Sequence, residues 1–325
     1  MNPPPYNFDL IGTAGYIAPR HLAAIRETDN RLVCALDKSD SAGILDRYFE
    51  NVDFFTEFER FDCHVARLGH LNSDKKIHYV SICSPNYLHD AHIRFALRSD
   101  ADAICEKPLV LNPWNCDALM DIEKETGRNV YNVLQLRIHP TILELRKQAS
   151  RARDRRFAID LTYITARGNW YFYSWKGDVT KSGGIATNIG IHFFVMLIWI
   201  FGQVEKSVLH YSNPKKMAGF LQLQNADVRW FLSLDRNDVP AQALASGKTT
   251  YRSIVIDGQE VEFSDGFTDL HTLVYRDILS GHGYGIEAAR PSIELAYAIR
   301  HAPVSLHEGE HHPLLSTIIK DAVQK

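Results

Sequence analysis

Up to Leu134, short apolar runs alternate with stretches whose apolar residues recur at helical spacing. Tyr6–Ile11, Arg31–Asp37, Ile77–Cys83, Ala101–Cys105 and Asn129–Leu134 read as strands. Ala18–Glu27, Tyr87–Arg98 and Pro113–Thr126 read as helices. Strand–helix alternation of this kind predicts a parallel sheet with crossover helices. Phe49–Phe61, rich in Phe and acids, follows neither period, and Leu71–Lys76 reads as an exposed loop.

The pattern then changes. His139–Ala149 reads as a helix, and Arg151, Arg153, Arg155 and Arg156 as a solvated face. Strand-like runs follow one another at Phe157–Ala166, Val204–Tyr211, Gly219–Gln224, Val228–Leu234, Tyr251–Ile256 and Glu260–Phe263. Asp257-Gly258 between the last two is a hairpin signal. One helix, about Asn188–Phe201, interrupts the strands, and Phe267–Leu279 and Ile286–Arg300 read as closing helices. The expected architecture is an α/β Rossmann domain over residues 1–137 and an α+β domain over residues 138–325 with a large, mostly antiparallel open sheet. An open apolar sheet face needs a cover, so this face is expected to pack against a second subunit in a homo-oligomer. The chain shows no internal repeat and no low-complexity segment.

Composition narrows the function classes. At 325 residues the chain can bury cores without a disulfide or metal staple, and no metal site is expected. The net charge of -3, from 36 basic and 39 acidic residues, provides no long-range pull on nucleic acid or an anionic membrane. Cys34, Cys63, Cys83, Cys105 and Cys116 include no CxxC pair, as expected of reduced thiols in a cytoplasmic protein. The first residues lack the basic and apolar regions of a signal peptide. The run Ile189–Phe201 is shorter than a membrane span and contains His192, which fits a buried helix.

Two stretches carry candidate chemistry. Gly12-Thr13-Ala14-Gly15-Tyr16-Ile17-Ala18 follows the first strand and opens the first helix. Gly12 permits a tight turn, Ala14 and Gly15 let backbone approach a pyrophosphate, and the helix N-terminus attracts its charge. Asp37 ends the second strand, where a carboxylate accepts both ribose hydroxyls and repels a 2′-phosphate. NAD is therefore favoured over NADP, although Lys38 next door keeps NADP open. Lys107, in Cys105-Glu106-Lys107-Pro108, ends a predicted parallel strand at the edge where open α/β sheets bind ligands. Asn188 and His192, four apart, share one face of the predicted helix after Gly183-Gly184. Oxidising an alcohol needs a base in reach of its hydroxyl. With a usual pKa of ~6.5, His192 suits that role better than Lys107, whose type titrates near ~10.4. Lys107 then orients and polarises the oxygen; the reverse assignment uses the same two residues.

Taken in order, these motifs resemble the Gfo/Idh/MocA oxidoreductase superfamily. The resemblance rests on GTAGYIAPRH at Gly12–His21, Asp37, SICSPNYLH at Ser81–His89, CEKPLV at Cys105–Val110 and GGIATNIGIH at Gly183–His192. Within the superfamily the chain is similar to UDP-N-acetyl-glucosaminuronate 3-dehydrogenases of bacterial surface-polysaccharide synthesis. The stretches that carry this are VLQLRIHP at Val133–Pro140, DLTYITARGNWYFYSWKGD at Asp160–Asp178 and TYRSI at Thr250–Ile254. The resemblance implies oxidation at C3 of UDP-N-acetyl-glucosaminuronic acid to a 3-keto sugar, which a PLP aminotransferase would then aminate. The end product would be a diamino-uronic acid for lipopolysaccharide O-antigen. It makes Lys107 and His192 the catalytic pair. It places Gly12, Ala14, Gly15, Tyr16, Ile17, Asp37, Ser84, Asn86, His89, Glu106, Lys107 and Gln135 at the cofactor, with Glu106 on the nicotinamide side. It also implies a tetramer and, as in some relatives, recycling of bound NAD by 2-oxoglutarate. Many superfamily members carry Asp at the positions of Asn188 and Val195; their loss here puts an inositol or glucose substrate in doubt more than a nucleotide sugar.

A UDP-uronic acid brings a pyrophosphate and a carboxylate, both suited to basic side chains. Tyr163, Arg167, Asn169, Trp170, Lys176, Asn188, His192 and Lys107 form the expected substrate set, with Tyr163 and Arg167 on one strand face. Lys181 lies in the same stretch. Gln135, Arg137 and His139 leave the last Rossmann strand and could reach the substrate, while Arg252 is a diphosphate or subunit-interface candidate. The alternatives are a dehydrogenase of a free sugar or cyclitol, a non-catalytic NAD-binding sensor, and a structural partner. Lys107 and His192 together argue against a sensor, and the cofactor motif against a purely structural role.

Overall fold

The computed structural model describes residues 5–71, 74–152, 155–261 and 269–315. The chain forms two compact units: Met1–Ile138 with Thr268–Arg290, and His139–Phe267 with Pro291–Lys325.

The first unit runs β1 (Asn7–Ile11), α1 (Ala18–Glu27), β2 (Arg31–Leu36), β3 (Asp53–Phe55), α2 (Phe58–His70), β4 (Tyr79–Ile82), α3 (His89–Arg98), β5 (Asp102–Cys105), α4 (Pro113–Thr126) and β6 (Val130–Asn132). All six strands pair in parallel in the order β3-β2-β1-β4-β5-β6. This is the dinucleotide-binding order, and its topological switch point lies between β1 and β4. The central strands β1, β2, β4 and β5 are largely buried on both faces, so they read as mostly apolar runs rather than alternating ones. Their core joins Phe8, Leu10, Leu22, Ile25, Ala35 and Ile104.

Two elements here were not legible as such. Phe49–Phe61 contains β3, a three-residue edge strand, and the first turn of α2. In α2 only Phe61, Val65 and Leu68 are buried, a helical stripe of three among polar neighbours.

The second unit opens with α5 (Pro140–Arg151) and β7 (Phe157–Thr165). Short helices α6 (Asn169–Tyr173) and α7 (Val179–Ser182) precede α8 (Ile191–Phe201). Then come β8 (Val204–Ser212), β9 (Lys216–Leu223), β10 (Ala226–Ser233), α9 (Ala241–Ala245), β11 (Thr250–Ile256) and β12 (Gln259–Glu260). The sheet order is β12-β11-β7-β10-β9-β8. The sheet is mixed rather than purely antiparallel, because β7 and β10 pair in parallel at its centre. Asp257 and Gly258 both take positive φ, as the predicted β11–β12 hairpin requires. Of the predicted strand Glu260–Phe263, Glu262 and Phe263 lie outside the described residues, as do Arg153 of the arginine group and Phe267 of the next helix.

On the inner face of this sheet Trp230 is fully buried edge-on to Phe194 of α8. Val179–Phe201 is apolar and long enough to cross a membrane by composition, yet it is mostly buried, as a core helix is. The outer face is partly covered by the chain itself. His312 stacks on Phe231 and reaches Thr162, and Glu310 pairs with Arg229, while Val304 bridges to Leu209 beside the edge strand β8.

After the second sheet the chain returns. The helix α10 (Leu270–Leu279) belongs to the first unit, where Val274, Tyr275 and Ile278 join the Phe8 and Leu22 core. By sequence, residues 138–325 read as one domain; the division in the structure is discontinuous because this buried apolar face of α10 packs on α1. The last helix, α11 (Ile286–His301), runs across the division.

Candidate active site

At the switch point of the first unit, Gly12 turns the chain out of β1 with φ 96°. A Cβ there would stand 2.6 Å from the backbone of Cys83 and Ser84, so only glycine fits against the end of β4. The Ala14 amide donates to Asp37 Oδ2 at 2.9 Å, and the Ser39 amide donates to Oδ1 at 2.9 Å. Asp37 thus holds the glycine turn in place, and a carboxylate accepting two bonds keeps further lone pairs for ribose hydroxyls. Ile17 caps α1 without a side-chain bond, and Tyr16 is 89% exposed. The tight turn, the helix N-terminus and the carboxylate fit a dinucleotide.

Beyond β4, Ser84 Oγ bonds His92 Nδ1 at 2.8 Å, and Asn86 is buried. His89 differs from the expectation that it faces a cofactor. Its Nδ1 lies 2.7 Å from the Pro108 carbonyl and its Nε2 2.8 Å from the Ser84 carbonyl. Burial pushes the pKa of this ring down, while the two carbonyls push it up. A neutral imidazole can donate to only one of them. Both His89 ring nitrogens are thus turned to backbone carbonyls beside the ends of β4 and β5 rather than outward.

Lys107 follows β5 and is half-buried. Its backbone is held from several sides. The Asn132 amide donates to the carbonyls of Cys105 (2.9 Å) and Glu106 (3.2 Å), and the Lys107 amide donates to Glu106 Oε2 at 3.2 Å. Glu106 directs its other oxygen at His21 Nε2 (3.0 Å) and His271 Nε2 (2.9 Å). Burial opposes its ionisation, but the two imidazole donors outweigh that and hold its carboxyl well below the ordinary range. Glu106 is thus committed to protein donors. Gln135, on a 3-10 turn after β6, keeps a buried Oε1 without a hydrogen-bond partner.

In the second unit, Asn188 and His192 do not lie on one regular α-helix. Ala186–Gly190 is a π turn, and α8 begins at Ile191. The four-residue spacing of an α-helix therefore does not carry over to this pair, and π turns recur at functional sites. Asn188 is buried and donates to the Tyr171 hydroxyl at 2.7 Å. Tyr163 packs on Phe193 at 4.9 Å, and the Arg252 guanidinium lies over its ring at 5.6 Å. Arg167 lies past the end of β7, so strand alternation does not relate it to Tyr163. Arg167, Asn169 and Trp170 are exposed. Lys176 Nζ sits over Trp175 (4.5 Å) and Trp170 (5.7 Å), and burial together with Arg167 lowers its pKa. Lys181 pairs with Asp178. Cations interleaved with aromatic rings can hold a base and a diphosphate.

His21, Asn132, His271 and Tyr275 of the first unit, and Tyr171 and Trp175 of the second, were not singled out from sequence. His21 stands inside the glycine stretch, but its partners lie 85 and 254 residues away and leave no local signal.

A parallel sheet in dinucleotide order, with this turn and carboxylate, defines a dinucleotide-binding protein of the Rossmann class. The chain belongs to the Gfo/Idh/MocA oxidoreductase family: its NAD-binding Rossmann fold matches residues 6–133, and its C-terminal alpha/beta domain residues 155–235. A crystal structure of the WlbA (WbpB) dehydrogenase from Thermus thermophilus, in complex with NAD and alpha-ketoglutarate, is 48% identical with a TM-score of 0.92, covering 95% of this chain and 99% of that one. A second structure of that enzyme, with NAD and UDP-GlcNAcA, is 47% identical over the same shares at a TM-score of 0.91. The D-glucoside 3-dehydrogenase of Escherichia coli (strain K12) is 27% identical over 145 residues, 42% of this chain and 39% of that protein. The match to such curated relatives spans roughly two fifths of their length.

Proposed function

We propose that this protein oxidises the 3-hydroxyl of UDP-N-acetyl-glucosaminuronic acid to a ketone with NAD. The observation that carries the reading is near-full-length similarity, at 47% identity, to a dehydrogenase crystallised with NAD and UDP-GlcNAcA. When bound, NAD accepts the hydride that leaves the sugar carbon. Gly12, Ala14, Gly15 and Asp37 hold it, with Ser84 and Asn86 at the end of β4. His192 takes the hydroxyl proton, and Lys107 orients and polarises the oxygen. Arg167 and Lys176 pair with the anionic groups, Tyr163 and Trp170 flank the nucleotide sugar, and Asn188 positions the sugar beside His192. 2-Oxoglutarate, binding in turn, takes up the hydride at its keto carbon and the proton held by His192 at the oxygen, and leaves as 2-hydroxyglutarate. The enzyme works in the cytoplasm as a homo-tetramer, and its product feeds diamino-uronic acid synthesis for O-antigen.

The test mixes purified protein with the UDP-sugar, NAD and 2-oxoglutarate, and follows products by mass spectrometry. Keto sugar together with 2-hydroxyglutarate is the expected result. Keto sugar with accumulating NADH would reject the recycling step alone. Turnover of free sugars or cyclitols, but not of the UDP-sugar, would overturn the reading. Lys107→Ala and His192→Ala are each expected to lower turnover by roughly a hundredfold or more while leaving NAD affinity nearly unchanged.

A further inference from the structure

Beneath the turn that carries Lys107 lies a buried chain of hydrogen bonds joining β4, α1, α10 and the end of β5. Ser81 Oγ and Tyr275 Oη are 2.6 Å apart, and Tyr275 Oη and His21 Nδ1 2.7 Å. His21 Nε2 and His271 Nε2 both meet Glu106 Oε1, and the Lys107 amide meets Oε2. All five side chains other than that of Lys107 are buried.

The direction of every bond follows from Glu106. An ionised carboxylate only accepts, so both histidines donate from Nε2. Burial keeps His21 neutral by lowering its pKa, and its Nδ1 then has only a lone pair to offer. Tyr275 must donate to it, and Ser81 must donate to Tyr275. Tyr275 thereby fixes the His21 tautomer that faces Glu106.

His21, Glu106 and His271 also have the composition of a metal site. The geometry favours hydrogen bonds. Both nitrogens stand 2.9–3.0 Å from one shared oxygen, the spacing of N–H···O bonds.

We infer that His21, His271 and Tyr275 are positioning residues of the reaction: acting through Glu106, they fix the backbone from which Lys107 reaches the substrate. The inference rests on the proposed catalytic role of Lys107. It also accounts for the return of α10 to the first unit, since α10 supplies both His271 and Tyr275.

The test measures kcat, KM and NAD affinity for His21→Ala, His271→Ala and Tyr275→Phe, beside His21→Gln and His271→Gln. Glutamine keeps an N–H donor near the position of Nε2. Displacing a reacting group slightly costs roughly ten- to a hundredfold in rate, so the alanine variants should lose kcat by that factor with NAD affinity and KM little changed. The glutamine variants should recover most of it, and Tyr275→Phe should fall between. Full kcat in both alanine variants, with Lys107→Ala inactive, would overturn the inference and leave the functional reading standing. An active Lys107→Ala would remove the reading beneath it. Glutamine variants that bind NAD, melt like the parent and stay as slow as alanine would overturn a donor role. So would stoichiometric zinc in the purified protein whose removal stops turnover.

Discussion

Asp9 lies in the middle of β1 with no exposed surface, accepting a bond from the Cys34 thiol at 2.7 Å while its Oδ2 finds no partner. Burial raises its pKa to about 8. The folded chain keeps a proton on Asp9 that the unfolded chain releases near the ordinary carboxylate value. Between those limits the folded state binds more protons, so stability falls as pH rises, by at most about 1.4 kcal/mol per pH unit. Thermal unfolding from pH 5 to 8 should show this decline, and Asp9→Asn should flatten it; parallel curves would clear Asp9 of the effect. At Asp37 the expected outcome concerns ligand rather than stability. Asp37→Ala should weaken NAD binding by roughly tenfold and narrow the preference over NADP, since a carboxylate no longer meets the ribose. Unchanged affinities by calorimetry would remove Asp37 as the ribose partner. Single residues of this kind were partly legible. Gly12, Asp37 and Lys107 stand just past strand ends, and His192 at the start of an apolar helix. The partners of Glu106 were not legible, because a histidine on an apolar helix looks the same whether it meets a carboxylate or a core.

At the level of elements, legibility followed the local start and turn signals more than the hydrophobic period. Ala18–Glu27 and Pro113–Thr126 are helices over the stretches expected, each with proline in its first turn. The β11–β12 turn followed from Asp-Gly. The edge strand β3 is too short, at three residues, to show a period, and α2 has no proline or side-chain cap to mark its start. The π turn at Ala186–Gly190 has no composition of its own, and it removes the regular four-residue spacing between Asn188 and His192. The Asn188 side chain is held instead by Tyr171, a residue in the separate helix α6. Tyr171→Phe removes that acceptor at a cost of about 1 kcal/mol, so KM for the UDP-sugar should rise about fivefold with NAD affinity unchanged. An unaltered KM would mean that Asn188 does not need this partner.

The whole molecule departs from the order of its sequence in two respects. Residues 268–290 rejoin the first unit, and the segment from Val304 to His312 runs from the edge strand β8 onto the outer face of the second sheet. Neither was readable from period or composition, since both depend on apolar surfaces far apart in the chain. The expectation that a second subunit covers that face therefore applies to the surface the chain itself leaves open. Native mass spectrometry should find a tetramer; a monomer at micromolar concentration would remove that part of the proposal. The central claim is that hydride leaves C3 of a nucleotide-linked uronic acid. UDP-N-acetyl-glucosaminuronic acid deuterated at C3 tests it most directly. The account predicts deuterium on the reduced nicotinamide, or on C2 of 2-hydroxyglutarate when the keto acid is present, and none at C3 of the sugar product. Deuterium retained in the sugar after turnover would contradict it.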